Sequence, residues 1–174
     1  HQKGPPASTA RQESLMFRFC PRCGHPLEPR SIHGVTRGVC TDSTCGYVHW
    51  DNPTPVVAAI VEHEEHIVLA RAPGWPDKVF GLITGFLERE ERPEDAVLRE
   101  VGEELSLDGE LVSFVGHYPF PQRNEIILAW HVRGHGTIRL NEELEEVRRV
   151  HPDRLRPWPF GTGLAVRDWL ARRG

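Results

Sequence analysis

The chain has 174 residues, with 21 Lys and Arg against 25 Asp and Glu, a net charge of -4 at pH 7 and a pI of about 6.2. That length can bury one ordinary core plus a small appendage, and the mildly acidic balance excludes a global basic field aimed at nucleic acid or anionic membrane. No 18-residue apolar run marks a membrane helix and the start lacks the apolar core of a secretory signal, so a cytoplasmic setting with no membrane partner is expected.

Residues 1–14 are polar, with Gly and two prolines, and read as a disordered tail. From Phe19 the character changes. Cys20, Cys23, Cys40 and Cys45 are all the cysteines of the chain, separated by two, sixteen and four residues. Soft thiolates in two close pairs, in a chain expected in a reducing compartment, match a closed structural zinc site, so residues 15–50 read as a small zinc ribbon. Gly24 and Gly46, one after each pair, let the backbone turn around the metal. Two disulfides are the rival reading, but Cys20 and Cys23 are too close for a comfortable structural bridge. His25, His33 and His49 are spare ligand candidates, each more often an ordinary surface residue.

Residues 49–55 form a proline-bearing link into a larger domain, 51–174. Residues 56–61 and 67–70 are strand-forming runs around the polar turn EHEEH and predict a hairpin, with His63 and His66 as turn residues. A loop holding Trp75 follows, and residues 79–83 predict a short strand leading into Thr84 and Gly85. Pro93 suits the first turn of a helix that good helix formers continue to Leu105. At about 100° per residue, Val97, Val101 and Leu105 make one apolar stripe with Leu98 at its edge. Glu100, Glu103 and Glu104 share a neighbouring arc. Three carboxylates so close repel one another, and a divalent metal of the magnesium or manganese type is the simplest reason to keep them there. The plain alternative is a solvated face with Arg99 and Glu103 as an i,i+4 pair.

Downstream, residues 111–115 and 126–132 read as strands, 118–122 as an aromatic loop stiffened by prolines, and 138–140 as a short strand. The acidic stretch 141–150 either adds carboxylates near the chemistry or lies on a helix surface. Residues 155–160 form a Pro/Trp loop. Thr162 can cap a last helix, 163–172, on which Ala165 and Trp169 pair at i,i+4. Arg71, Lys78, Arg89 and Arg123 are candidates for phosphate contact, each more often a plain surface charge. Phe80, Trp75 and Trp158 are candidate stacking surfaces, whereas Trp130 sits in a strand pattern and reads as packing.

Gly85, Glu91, Arg99, Glu100, Val101, Glu103, Glu104 and Leu107 resemble the Nudix box, with Ser106 where that family has Gly. Gly enters left-handed geometry freely and Ser does not, so Ser106 bears on the turn that ends the helix, not on a metal ligand. The resemblance implies a Nudix α/β/α sandwich with a mixed sheet in the α/β class. It also implies metal-dependent hydrolysis of a diphosphate linkage in a nucleotide derivative. In its terms Glu104 and Glu100 hold magnesium or manganese, Glu103 shares the coordination and the Gly85 carbonyl contributes. Arg99 orients the carboxylates through Glu91, and Glu100 is the first choice for general base.

The cysteine pattern ahead of the box, and Thr84 to Glu88 leading into it, look like the zinc-bearing NADH pyrophosphatase branch. Its outer acidic segment maps a further metal ligand onto Glu143. Its substrate motif survives here only as Pro119, Phe120 and Pro121, with Tyr118 where that branch has Trp. Tyr118 and Phe120 therefore stand as nucleotide-contacting candidates, with Phe80 and Trp158. The implied substrate is a nucleotide-derived small molecule such as NAD(H) or ADP-ribose. A nucleotide-capped RNA 5' end and a homodimer stay open. The rival reading is a zinc-ribbon RNA- or protein-binding module on a weakly active or inactive Nudix scaffold.

Overall fold

The computed structural model of the chain describes residues 17–173, so the expectation for 1–14 lies outside the described residues. The chain divides into two compact units, His1–Asn52 and Pro53–Gly174.

In the first unit, β1 (Leu27–Ile32), β2 (Val35–Cys40) and β3 (Val48–His49) form an antiparallel sheet in that order. The β1–β2 hairpin turns at His33 and Gly34, both with positive φ. This sheet has little apolar burial: Phe17, Phe19, Val35 and Trp50 are all exposed, while Cys20 and Cys40 are its buried hydrophobic residues. So small a core cannot hold a fold without a staple.

The second unit is built on β4 (Thr54–His63), β5 (His66–Arg71), β6 (Ile83–Phe86), β7 (Asp108–Phe120), β8 (Glu125–His135) and β9 (Glu146–Val150). Helix α1 (Pro93–Leu105) follows β6 and helix α2 (Gly163–Arg173) ends the unit. The sheet order is β7-β8-β4-β5-β9, and β6 pairs with the first half of β4. β4 and β8 are parallel and the other pairs antiparallel, so the sheet is mixed.

The unbroken apolar run in β4 is explained by burial on both faces. Val57, Ala59 and Val61 enter one core with Ala96, Val97, Val101 and Leu105 of α1. Ala58 and Ile60 enter the other with Tyr118, Ile127 and Ala165, Val166 and Trp169 of α2. Alternate residues of a single strand thus anchor a helix on each side, which is the α/β/α layering that the resemblance implies. Full burial of Val97, Val101 and Leu105 stabilises α1 by about 1.5–3 kcal/mol each. Pro93 occupies the first turn, and the helix ends at Ser106 in left-handed geometry, φ 57 and ψ 30.

Four local expectations are corrected. The strand expected over 79–83 starts only at Ile83 and runs through Thr84 and Gly85, because its partner is β4. Tyr118 and Phe120 belong to the long strand β7, paired with Ile127 and Glu125, and the turn comes after them. Residues 138–140 make no strand. The acidic stretch ends in β9, which pairs with β5, and not in a helix.

Candidate functional site

Two clusters of ligand-type side chains stand out, one in each unit. In the first, all four cysteine sulfurs lie within 4.8 Å of one another. Cys20 and Cys45 Sγ are 3.7 Å apart, Cys23 and Cys40 Sγ 3.4 Å, and all four are free. Both of these contacts run between the two halves of the motif, so the two pairs converge on one point as a four-sulfur site requires. Gly24 and Gly46 follow the pairs at φ 78 and 66, values a side chain would resist, and the Gly24 N–H donates to the Cys20 carbonyl at 2.9 Å. Burial opposes ionisation of Cys20, yet the Arg22 and Cys23 N–H groups bring its thiol down to about 7. His25, two residues on in the sequence, and Asp42 lie beside Cys23; the nearness of Asp42 was not signalled by the sequence.

The second cluster is assembled by α1 and β6. Glu100 and Glu104 point inward from α1 and are buried, whereas Glu103 is exposed. Gly85 in β6 lies so close that a Cβ there would sit 1.9 Å from the Glu100 carboxyl carbon, so only glycine permits this approach. Arg99 ties the surface together. Its Nε donates to Glu91 at 2.8 Å, Nη1 to Glu100 Oε1 at 2.7 Å and to Glu103 at 3.0 Å, and Nη2 to Glu91 at 3.0 Å and the Phe86 carbonyl at 3.1 Å. The Glu88 N–H donates to Glu91 at 2.9 Å. These bonds from Arg99, then the one from Glu88, hold the Glu91 carboxyl down at about 2. Burial has the opposite effect on the two inward carboxyls. It raises Glu100 despite Arg99, and it lifts Glu104 to about 8, helped by the charges of Glu100, Glu143 and Glu103.

Beside the Arg99 guanidinium the surface offers hard oxygen donors, the chemistry that suits magnesium or manganese. Glu100, Glu103, Glu104 and Glu143 have the donor chemistry for a divalent cation, although among the described residues no three of them bring oxygens within 4.8 Å of one another as the four cysteines do with their sulfurs. The four sulfurs fit zinc.

A cleft of 960 Å³ opens over the carboxylates, and Gly85, Glu100, Glu103 and Glu143 line it. Phe80, Phe120 and Trp158 line it as expected from the sequence, and so do Trp75, Lys78 and Arg123. Arg148 stacks over the Phe80 ring at 4.1 Å, which occupies one of its faces. Tyr118 does not reach the cleft. It is buried in the core beneath α2, where its hydroxyl donates to Asp168 at 3.0 Å, so the expectation that it contacts a nucleotide is corrected. Phe120, two residues on, shares that face of β7 and packs against the same core, but it is the last residue of the strand, only half-buried, and lines the cleft. Arg71 is engaged with Glu145 and Glu146, and Arg89 is a fully exposed surface charge beside Glu90. The cleft also exposes Phe86 and Phe160, which sequence reasoning did not single out. Their signal was position alone, next to Gly85 and Trp158.

The NUDIX domain model matches residues 52–169. The chain is 29% identical over 161 residues to an NAD-capped RNA hydrolase NudC from Stutzerimonas stutzeri, covering 90% of this chain and 57% of the relative. It is 30% identical over 172 residues to an NAD-capped RNA hydrolase from Schizosaccharomyces pombe, covering 91% and 44%. The chain thus spans about half the length of the curated relatives it matches. In fold it is similar to a NUDIX hydrolase from Nitrosomonas europaea, with TM-score 0.69 and 24% identity over 80% of each chain. The E. coli ORF135 protein aligns with TM-score 0.60 and 27% identity over 71% of this chain and 92% of that one. The domain match covers the mixed sheet, both helices up to Trp169 and the carboxylate helix, and by it the chain belongs to the NUDIX family.

Proposed function

We propose that this protein hydrolyses a diphosphate linkage in a nucleotide derivative, using magnesium or manganese at Glu100, Glu103, Glu104, Glu143 and the Gly85 carbonyl. Zinc at the four cysteines is structural in this reading, and the domains are the ribbon over 15–50 and the hydrolase over 51–174. The observation that carries it is the pair of buried carboxylates on α1, Glu100 and Glu104, of which Glu100 lines an aromatic-walled cleft. Buried, like-charged carboxylates have no structural use that an apolar pair would not serve better.

When bound, the divalent metal neutralises charge on the phosphates and lowers the pKa of the attacking water. The chain's own residues do the rest. Arg99 fixes Glu91, Glu100 and Glu103 before substrate arrives, so little reorganisation is left for the reaction. Arg99 holds Glu100 by its Oε1, and Glu100 is the first choice to take the water proton as the new P–O bond forms and the bridging P–O bond breaks, with Glu103, Glu104 and Glu143 left to carry the metal at that moment. Lys78 and Arg123 line the cleft and supply positive charge for the phosphates, and Phe120, Trp158, Phe86 and Phe160 offer faces for rings. The mixed aromatic and cationic lining suits a dinucleotide such as NAD(H), or ADP-ribose. The curated relatives favour testing an NAD-capped RNA end beside them.

A product-resolved assay with magnesium or manganese against NADH, NAD, ADP-ribose and NAD-capped RNA tests this reading. Turnover of at least one substrate is expected, and Glu104→Gln should reduce it by about 10²-fold or more while the protein stays folded. Tight RNA binding that survives Glu104→Gln, with no turnover of any nucleotide, would establish the scaffold reading instead.

A further inference from the structure

Glu143 comes from a turn, not from the helix that carries the other carboxylates, and something must hold that turn over them. The turn is tied at both ends. At its start the Asn141 N–H meets the Glu104 carbonyl at 3.4 Å, and Asn141 Oδ1 accepts from the Glu143 N–H at 3.0 Å. At its end the Glu145 N–H donates to the Arg71 carbonyl at 2.9 Å, and the Arg71 guanidinium donates to Glu145 at 2.5 Å and to Glu146 at 3.3 Å. Arg71 is the last residue of β5, paired with Glu146, the first of β9. Its side chain is only 13% exposed, and its Nε is buried without a partner. A guanidinium in that state is committed to its two carboxylates and is not free to reach a phosphate.

We infer that Arg71 is a positioning residue for the divalent metal: by clamping Glu145 and Glu146 it sets where Glu143 stands over Glu100 and Glu104. The inference rests on the proposed metal chemistry. Geometry supports it: Glu143 lines the cleft together with Glu100 and Glu103, and its turn is bonded to the end of α1 through the Asn141 N–H at the Glu104 carbonyl. The clamp also engages two acidic side chains that follow Glu143. Paired with Arg71, Glu145 and Glu146 add less negative charge to the site, and of the two carboxylates that remain in the run, Glu142 and Glu143, Glu143 lines the cleft.

The test is a metal-binding cycle on the full chain, following free Mn2+ by electron paramagnetic resonance and, separately, the magnesium dependence of turnover. Arg71→Met should weaken Mn2+ binding about tenfold, as loss of an outer partner of a metal ligand does, with substrate KM at saturating metal within about twofold of wild type. In a Glu143→Gln background the same substitution should produce no further shift. The paired change Glu145→Gln with Glu146→Gln loosens the clamp from the other side and should weaken Mn2+ binding too, which keeps the test open if Arg71→Met does not fold. Wild-type Mn2+ binding that neither set of changes weakens, or an equal loss with and without Glu143, overturns the clamp. A wild-type protein that binds no Mn2+ and shows no metal-dependent turnover overturns the proposed function along with it.

Discussion

The four-cysteine cluster and the carboxylate cluster solve opposite problems. The sulfurs come from two tight turns, lie within 4.8 Å of one another and can close a tetrahedron with no position left for water. The carboxylates come from a helix and a distant turn, and Glu100, Glu103 and Glu143 line an open 960 Å³ cleft. Around the first there is little apolar burial; beside the second, α1 rests on a full core of Val97, Val101 and Leu105. A metal among the cysteines would therefore act as the core of its unit, whereas a metal among the carboxylates would sit on a fold that stands without it. Hard or soft donors, open or closed geometry, and the presence or absence of a neighbouring core all divide the two in the same direction.

The largest effect should come from breaking the first cluster. Cys40→Ser is expected to abolish zinc retention and unfold residues 17–52, since structural zinc supplies about 10–16 kcal/mol of apparent binding free energy. Metal analysis with amide NMR dispersion reads this, and a first unit that stays dispersed without zinc would show that it has another source of stability. Next, Gly85→Ala aims at the carboxylates. A Cβ 1.9 Å from the Glu100 carboxyl carbon must push that side chain away, and turnover should fall by about 10²-fold with thermal stability far less affected than in the cysteine variant.

Smaller effects sharpen the contrast within the second unit. The Glu91 carboxyl lies below its ordinary 4.5, at about 2 in the fold, so its pairing with Arg99 stabilises the native state fully above pH 4.5. That contribution should shrink as pH falls from 4.5 toward about 2. The difference in melting temperature between wild type and Glu91→Gln should follow the same curve, closing in acid. A difference that stays constant through that window would remove the ion pair as its cause. Smallest is the helix end. Ser106 bears a left-handed backbone, φ 57, but its hydroxyl donates to the Arg139 carbonyl at 3.1 Å. Ser106→Ala keeps the strain and loses the bond, costing about 1 kcal/mol. Ser106→Gly relieves the strain while losing the same bond and adding chain freedom, and should change stability by less than about 1 kcal/mol. Thermal unfolding of the two variants separates these cases.

Ser106 also marks how far the sequence could be read. Its place at the end of the helix was legible because a helix stop is a local signal, and the structure has it in the left-handed geometry that raised the question. The Arg139 carbonyl that makes serine workable there was not legible, being 33 residues away. Tyr118 went the other way. Just ahead of Pro119 and Pro121 it resembled a loop aromatic, yet pairing with β8 extended β7 through it and turned its ring beneath α2. Arg71 looked like any surface cation until β9 brought Glu145 and Glu146 to it.

By itself the sequence determined the helix over Pro93–Leu105, the shared arc of Glu100, Glu103 and Glu104, the hairpin of β4 and β5, and the grouping of the four cysteines. All of these depend on spacings of a few residues, where helix and strand periodicity or turn chemistry leave little choice. Only the tertiary structure decided that Gly85 packs on Glu100, that Glu143 reaches the cleft, that Tyr118 leaves it and that Arg71 anchors the acidic turn. Those contacts depend on strand order and register between segments tens of residues apart, and a one-residue change of register would reverse which face each side chain meets.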